Sequence, residues 1–164
     1  MTLDVSLIIA AIAALLVLSA FFNASETALT AASRARMHAL EQEGNSRAHL
    51  VNRLLRQPAK MIGAVLLGNT LVDILAASLA SGVAVVMVGP AGVAYATAIM
   101  TLLIVIFSAV LPKTYALAFA DTVALFVAPI MRVVIALLSP LTAAIQFIVR
   151  LIRVSHDVDD FSPE

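Results

Sequence analysis

Hydrophobic residues in this chain come in long blocks instead of at helical or strand spacing. Residues 5–25 hold no charged side chain and 27–33 add none, and from Met61 to Leu111 the single charge is Asp73. A helix needs about 20 apolar residues to cross a bilayer core, so the first block predicts one span. The second block is too long for one crossing and predicts two, with the Gly89-Pro90 pair in "VGPAG" as the reversal between them. The expected elements are helix 1 at about 5–33, helix 2 at about 60–87 and helix 3 at about 91–120, kinked near Pro112. The opening "MTLDVSLIIAAIAALLVLSAFF" carries no positive residue and runs well past the length of a cleaved signal core. It reads as a true span.

Between the first two blocks the pattern inverts. Residues 34–60 hold six of the ten Lys and Arg residues, and Gly44-Asn45 divides them into two short amphipathic helices, the second ended by Pro58. Positive residues mark the cytoplasmic side, which puts the 34–58 loop inside, the N-terminus and the Gly89-Pro90 turn outside, and Lys113 and the C-terminus inside. The last apolar stretch, 122–154, is broken by Pro129, Arg132 and Pro140. A fourth span there would strand Arg150 and Arg153 on the outer face, so a bent helix on the cytoplasmic interface is the preferred reading and a fourth span the alternative. Residues 155–164 read as the start of a linker.

Composition settles the class. The 164 residues are 62% hydrophobic and 12% charged, against about 45–50% and about 25% in soluble domains. The fold class expected is all-α integral membrane: three transmembrane helices plus a bent amphipathic juxtamembrane, or belt, helix. Zero net charge gives no argument for nucleic acid, and the absence of cysteine removes disulfides, thiolate nucleophiles and most soft-metal sites.

Polar residues inside the blocks are the candidate chemistry. On an ideal helix Ser19, Asn23 and Glu26 fall within about 60° of one another, one polar stripe toward the inner half of helix 1, with Ser25 aimed elsewhere. Helix 2 carries "GNTLVD", with Asn69 and Asp73 one turn apart and Gly68 allowing a close approach. Helix 3 carries "FSAVLPKTYA", in which Pro112 lacks an amide and leaves the Ser108 carbonyl one turn earlier available. Hydroxyl, amide, carboxylate and carbonyl oxygens suit hard cations such as Mg²⁺, Ca²⁺ or Na⁺. The plainer alternatives are interhelical glue for the hydroxyls, Glu26 reaching Arg34 or Arg36, Asp73 pairing with a basic residue, and "AASLASG" as a packing or dimer face.

At these residues the sequence resembles the transmembrane domain of the CNNM/CorC family of magnesium transporters, through "FFNASETALTAAS", "LLGNTLVDI" and "VLPKTYA" in the family's order over roughly residues 5–154. The resemblance implies a homodimer in the inner (plasma) membrane and a Mg²⁺ ion held by Ser19, Asn23 and Ser25 of helix 1, the Gly68 carbonyl and Asn69 of helix 2. Asn23 stands where many members have serine. Members usually carry a glutamate at the position of Ala109, so a carboxylate is missing beside the site; Glu26, Asp73, Pro112 and Lys113 are accessory or coupling candidates. Members continue into a cytoplasmic CBS-pair module that binds nucleotide, and this chain ends at Glu164, where that module would begin; the expectation is an isolated membrane domain without nucleotide regulation. The activity expected is Mg²⁺ transport by alternating access, export being the favoured direction and Na⁺ a candidate coupling ion. The alternative is a non-transporting membrane anchor or sensor. A membrane enzyme with Glu26 or Asp73 as acid or base is the weakest reading, since no nucleophile–base pair or zinc-type histidine motif is present.

Overall fold

The computed structural model describes the backbone of residues 2–159 and the side chains of 5–144 and 147. Among these the chain is helical throughout. Helix α1 covers Thr2–Ala31, α2 Arg34–Gln42, α3 Ser46–Leu55, α4 Pro58–Val88, α5 Gly92–Leu103, a π-helical segment Ile104–Val110, α6 Leu111–Ala118 and α7 Ala120–Asp159. Residues 160–164, the end of the expected linker, lie outside the described residues.

The breaks between helices have local causes. Ser33 begins α2 by accepting the Arg36 amide, and Asn45 begins α3 by accepting those of Arg47 and Ala48 at 3.0 and 3.2 Å. Gly44, at φ +89°, closes α2: its amide reaches the Glu41 carbonyl at 3.0 Å while that of Asn45 reaches Leu40 at 2.9 Å, a two-bond left-handed cap. Pro58 opens α4 instead of closing α3, because the missing proline amide costs nothing in a first turn.

Helix 3 departs from the simple proline kink expected of it. Seven residues before Pro112 are wound as a π-helix, in which the Leu111 amide reaches back five residues to Ile106. The wide turn ends at Pro112, which has no amide to extend it. Helix α7 runs on through both Pro129 and Pro140.

Four helical stretches, not three, are long and apolar enough to cross a membrane: Val5–Ala31, Pro58–Val88, Gly92–Ala118 and Ala120–Ala144. The fourth arises because α7 continues unbroken past Arg132 and both prolines. Large apolar side chains such as Leu7, Val17, Leu66, Ile74, Val86 and Leu102 point outward, an arrangement at home in hydrocarbon and adverse in water.

The core lies at one end of the molecule. Ala28, Leu29 and Ala32 of α1, Met37 and Val51 of the short helices, Met61, Ala64 and Val65 of α4, and Ala124, Val127, Ala128, Met131 and Ile135 of α7 form one buried cluster. The α7 residues recur at three- and four-residue steps, so one face of that helix is packed while Phe126, Ile130, Val133 and Leu137 remain exposed. Its first turn is pinned to the end of α1: the Asp121 carboxylate accepts the Ser33 amide at 2.8 Å and the Arg36 guanidinium at 3.2 Å.

The α2–α3 hairpin is fastened by Glu41, which meets His49 Nδ1 at 2.6 Å and accepts from Asn52 Nδ2. The bond to His49, then that to Asn52, holds the Glu41 carboxyl below its ordinary 4.5. A carboxyl lowered by folding stabilises the folded form above 4.5 and loses that contribution as pH falls through the lower folded value. Hydrogen exchange over residues 34–55, corrected for its intrinsic pH dependence, is therefore expected to quicken as pH drops below 4.5. In Glu41→Gln it should be fast already at neutral pH and show no such acid step.

Candidate functional site

Helices α1 and α4 pack antiparallel, with Gly68 of α4 opposite Phe22 of α1. A Cβ placed on Gly68 would sit 2.8 Å from Phe22 Cζ, so the absence of a side chain there is what lets the Phe22 ring lie on α4. This close approach brings two polar segments into register. Ser19 Oγ donates to Asn69 Oδ1 at 3.0 Å, and Asn23 Nδ2 donates to the same oxygen at 3.1 Å and to the Ser19 carbonyl at 3.2 Å. Asn69 Nδ2 in turn donates to Asp73 Oδ2 at 3.3 Å. Ser19 and Asn23 are buried. The other carboxylate oxygen, Asp73 Oδ1, is buried and has no hydrogen-bond partner.

The depth of this cluster follows from residue counts. Asn23 is ten residues before Ser33 and Asn69 nine residues after Lys60, about 15 Å and about 14 Å along the two helices. Both measure toward the same end of the molecule. Asn23 is thus eight residues from the end of the apolar stretch Val5–Ala31 and Asn69 eleven from the start of Pro58–Val88, in the half of each that adjoins the short helices.

Three of the five expected ion ligands meet as side chains or neighbours of one another: Ser19, Asn23 and Asn69, with Gly68 next to them in the close contact. Ser25 does not join them; it is buried, but its hydroxyl bonds back to the Phe21 carbonyl at 2.7 Å within α1. Glu26 leaves the stripe too. It reaches neither Arg34 nor Arg36, and instead lies 3.9 Å from Lys113 Nζ of α6. Asp73 pairs with Asn69 and not with a basic residue. The polar face of helix 1 is thus shared between two neighbours, α4 for Ser19 and Asn23, α6 for Glu26.

One contact was invisible at the level of sequence. Ser108, buried in the π-helical segment, donates its hydroxyl to the Leu16 carbonyl at 3.1 Å, tying the wide turn to α1 one turn from Ser19. Ala109 is the next residue and partly buried. The only available signal was the serine's place in an apolar run before a proline, which marks a polar contact without naming its partner.

Chemically the α1–α4 cluster is a set of oxygens without nitrogen or sulfur ligands. Among the described residues no three His, Cys, Asp or Glu side chains gather as a metal site; what gathers is one hydroxyl, two amides and one carboxylate. Such donors select hard cations. Asn69 Oδ1 already accepts two hydrogen bonds, so a cation would reach it only by displacing or re-aiming Ser19 and Asn23. The unpartnered Asp73 oxygen requires no displacement: a buried carboxylate oxygen without a donor is costly, and a cation or proton relieves it.

Comparison with known proteins agrees with the architecture. Residues 10–163 match the family described as the cyclin M (CNNM) transmembrane N-terminal domain. The chain is similar to the UPF0053 inner membrane protein YfjD of Escherichia coli, 36% identical over 145 residues, which cover 86% of this chain and 34% of the relative. It is also similar to a UPF0053 protein of Haemophilus influenzae, 36% identical over 126 residues covering 77% and 30%. A chloroplastic DUF21 domain-containing protein of Arabidopsis thaliana is 34% identical over 114 residues, covering 69% and 17%. The chain spans about a third of the length of the two bacterial relatives. With the matched region running across nearly all of its residues, the chain belongs to the CNNM/CorC family, as its transmembrane domain.

Proposed function

We propose that this domain carries Mg²⁺ across the inner membrane by alternating access, with Ser19, Asn23, Asn69 and Asp73 as the ion's station. The observation that carries the reading is Asp73 Oδ1: a buried, unpartnered carboxylate oxygen at the end of an oxygen-bearing network, within the apolar stretch of α4. One carboxylate among neutral oxygens gives modest affinity, which suits an ion that must be released. The hydrogen bonds from Ser19 and Asn23 to Asn69 close the α1–α4 contact without an ion. Exchanging them for cation contacts would part the helices and supply a second state. The name of the Escherichia coli relative supports the inner membrane as the location.

The belt arrangement of α7 is part of the same proposal. Asp121 meets Ser33 at the end of α1, and Arg132, Ile135 and Ala136 line a cleft with Lys60 at the start of α4. Those two ends lie at one level, about 14–15 Å from the cluster. Fifteen helical residues would carry a perpendicular α7 about 22 Å away from that level. A helix along the membrane surface satisfies both contacts, leaving three crossings and the basic 34–60 segment inside. The homodimer, a coupling role for Na⁺ and a nucleotide-binding module on the longer protein complete the reading.

The internal satisfaction of Asn69 favours one rival, a non-transporting anchor in which the network is only glue. Mg²⁺ flux in proteoliposomes holding the purified protein alone separates the two. Flux above that of empty vesicles is expected, and its absence would leave the anchor. The partly buried Ala109 offers a further test. Ala109→Glu should tighten Mg²⁺ binding about tenfold by calorimetry, the equivalent of about 1.4 kcal/mol. Unchanged affinity and flux would remove that position from the mechanism.

A further inference from the structure

A second site lies at the opposite end of the core from the Gly89-Pro90 turn. A cleft of about 240 Å³ opens between the end of α3, the start of α4 and the middle of α7, with Arg53, Gln57, Lys60 and Arg132 around it and Leu54 and Ile135 among its apolar walls. Among the described residues no carboxylate lies within ion-pair distance of Arg53, Lys60 or Arg132, whereas Arg36 and Lys113 each have one. Three uncompensated cations on three different helices converge on one concavity. The start of α4 adds to them: Gln57 makes no side-chain cap and Pro58 has no amide, so the first free amides of a 31-residue helix open beside Lys60.

We infer that this cleft binds the phosphodiester headgroup of an anionic phospholipid. Phosphate matches the charge, the guanidinium forks and the helix start together. A diester with acyl chains is favoured over a free phosphate because the walls are apolar and the next charge along α4 after Lys60 is Asp73, which places the cleft where headgroup meets hydrocarbon. Basic pockets between membrane helices on the positive side hold such lipids. A lipid seated there would join α3, α4 and α7, fixing the belt helix to the bundle.

The test uses the purified full chain in detergent micelles, titrated with dioleoyl-phosphatidylglycerol, dioleoyl-phosphatidylcholine or glycerol phosphate while thermal unfolding is followed. Phosphatidylglycerol alone should raise the unfolding temperature. In R53Q/K60Q/R132Q the half-saturating concentration of that lipid should rise at least tenfold. In R34Q/R47Q/R56Q, which loses the same charge elsewhere on the 34–60 segment, it should change less than twofold. Equal weakening in both triple variants, or none in the first, would overturn the site. Equal stabilisation by glycerol phosphate would overturn the lipid assignment in favour of a soluble anion. Should the first triple variant fail to fold, Arg53→Gln and Arg132→Gln, both at exposed positions, carry the same comparison singly, with a threefold or greater weakening expected of each.

Discussion

Asn69→Ala is expected to abolish the Mg²⁺-dependent rise in unfolding temperature and to lower the stability of the ion-free protein by about 2–4 kcal/mol. Asn69 is the hub of the α1–α4 network: its oxygen accepts from Ser19 and Asn23 and its nitrogen donates to Asp73. Interhelical hydrogen bonds in membranes average about 0.6 kcal/mol each, which alone gives about 1.2 kcal/mol for the two that cross to α1. Leaving buried donors and a carboxylate unpaired adds desolvation cost of about 1–3 kcal/mol per group where no water replaces the partner. Asn23→Ala should cost less, because the Ser19–Asn69 and Asn69–Asp73 bonds survive it. The informative partner is Asn69→Asp. It keeps an acceptor, loses the donor to Asp73 and sets two carboxylates one turn apart, so it should unfold earlier without Mg²⁺ and gain more from adding it. Retained Mg²⁺ stabilisation at the wild-type midpoint in Asn69→Ala would place the ion elsewhere.

The other large effect is expected at Gly92, where α5 starts. A Cβ there would stand 2.3 Å from the Ala84 carbonyl oxygen and 2.6 Å from its carbon. Those atoms are backbone inside α4 and cannot rotate away as a side-chain tip can, so Gly92→Ala must pry the α4–α5 turn apart. Overpacking costs about 1–3 kcal/mol where side chains can adjust; against backbone, about 3 kcal/mol or more is expected, read as a fall in unfolding temperature and in monodisperse yield. Gly63 and Gly82, with nothing within 4 Å of the added atom, are the controls. Gly63→Ala and Gly82→Ala should be neutral or stabilise by up to about 1 kcal/mol, since alanine is the better helix former. Gly68→Ala lies between these cases, meeting only the tip of the Phe22 ring. An unfolding temperature for Gly92→Ala equal to that of Gly82→Ala would show that the α4–α5 packing is looser than described.

Both variants act where a one-dimensional reading ended. The hydrophobic blocks marked out the long helices because exposing a charge or a free amide to hydrocarbon is costly at each residue separately, whoever its neighbours are. Gly44, Asn45, Pro58 and Gly89 likewise act through their own backbone preferences, so the breaks were legible too. The chemistry of Ser19, Asn23, Asn69 and Asp73 was legible as polar atoms that needed partners. Which partners they took was not: that depends on the rotation of α1 against α4 and on the contact that Gly68 permits under Phe22. The same rotation sent Glu26 to Lys113 and left Ser25 with its own backbone. The bond from Ser108 to Leu16, the pinning of α7 by Asp121 and the meeting of Arg132 with Arg53 and Lys60 join residues tens of positions apart. Local pattern determined what each segment is and how far it extends; only packing in three dimensions decided what it faces, because a contact is a property of two surfaces and the sequence presents them one at a time.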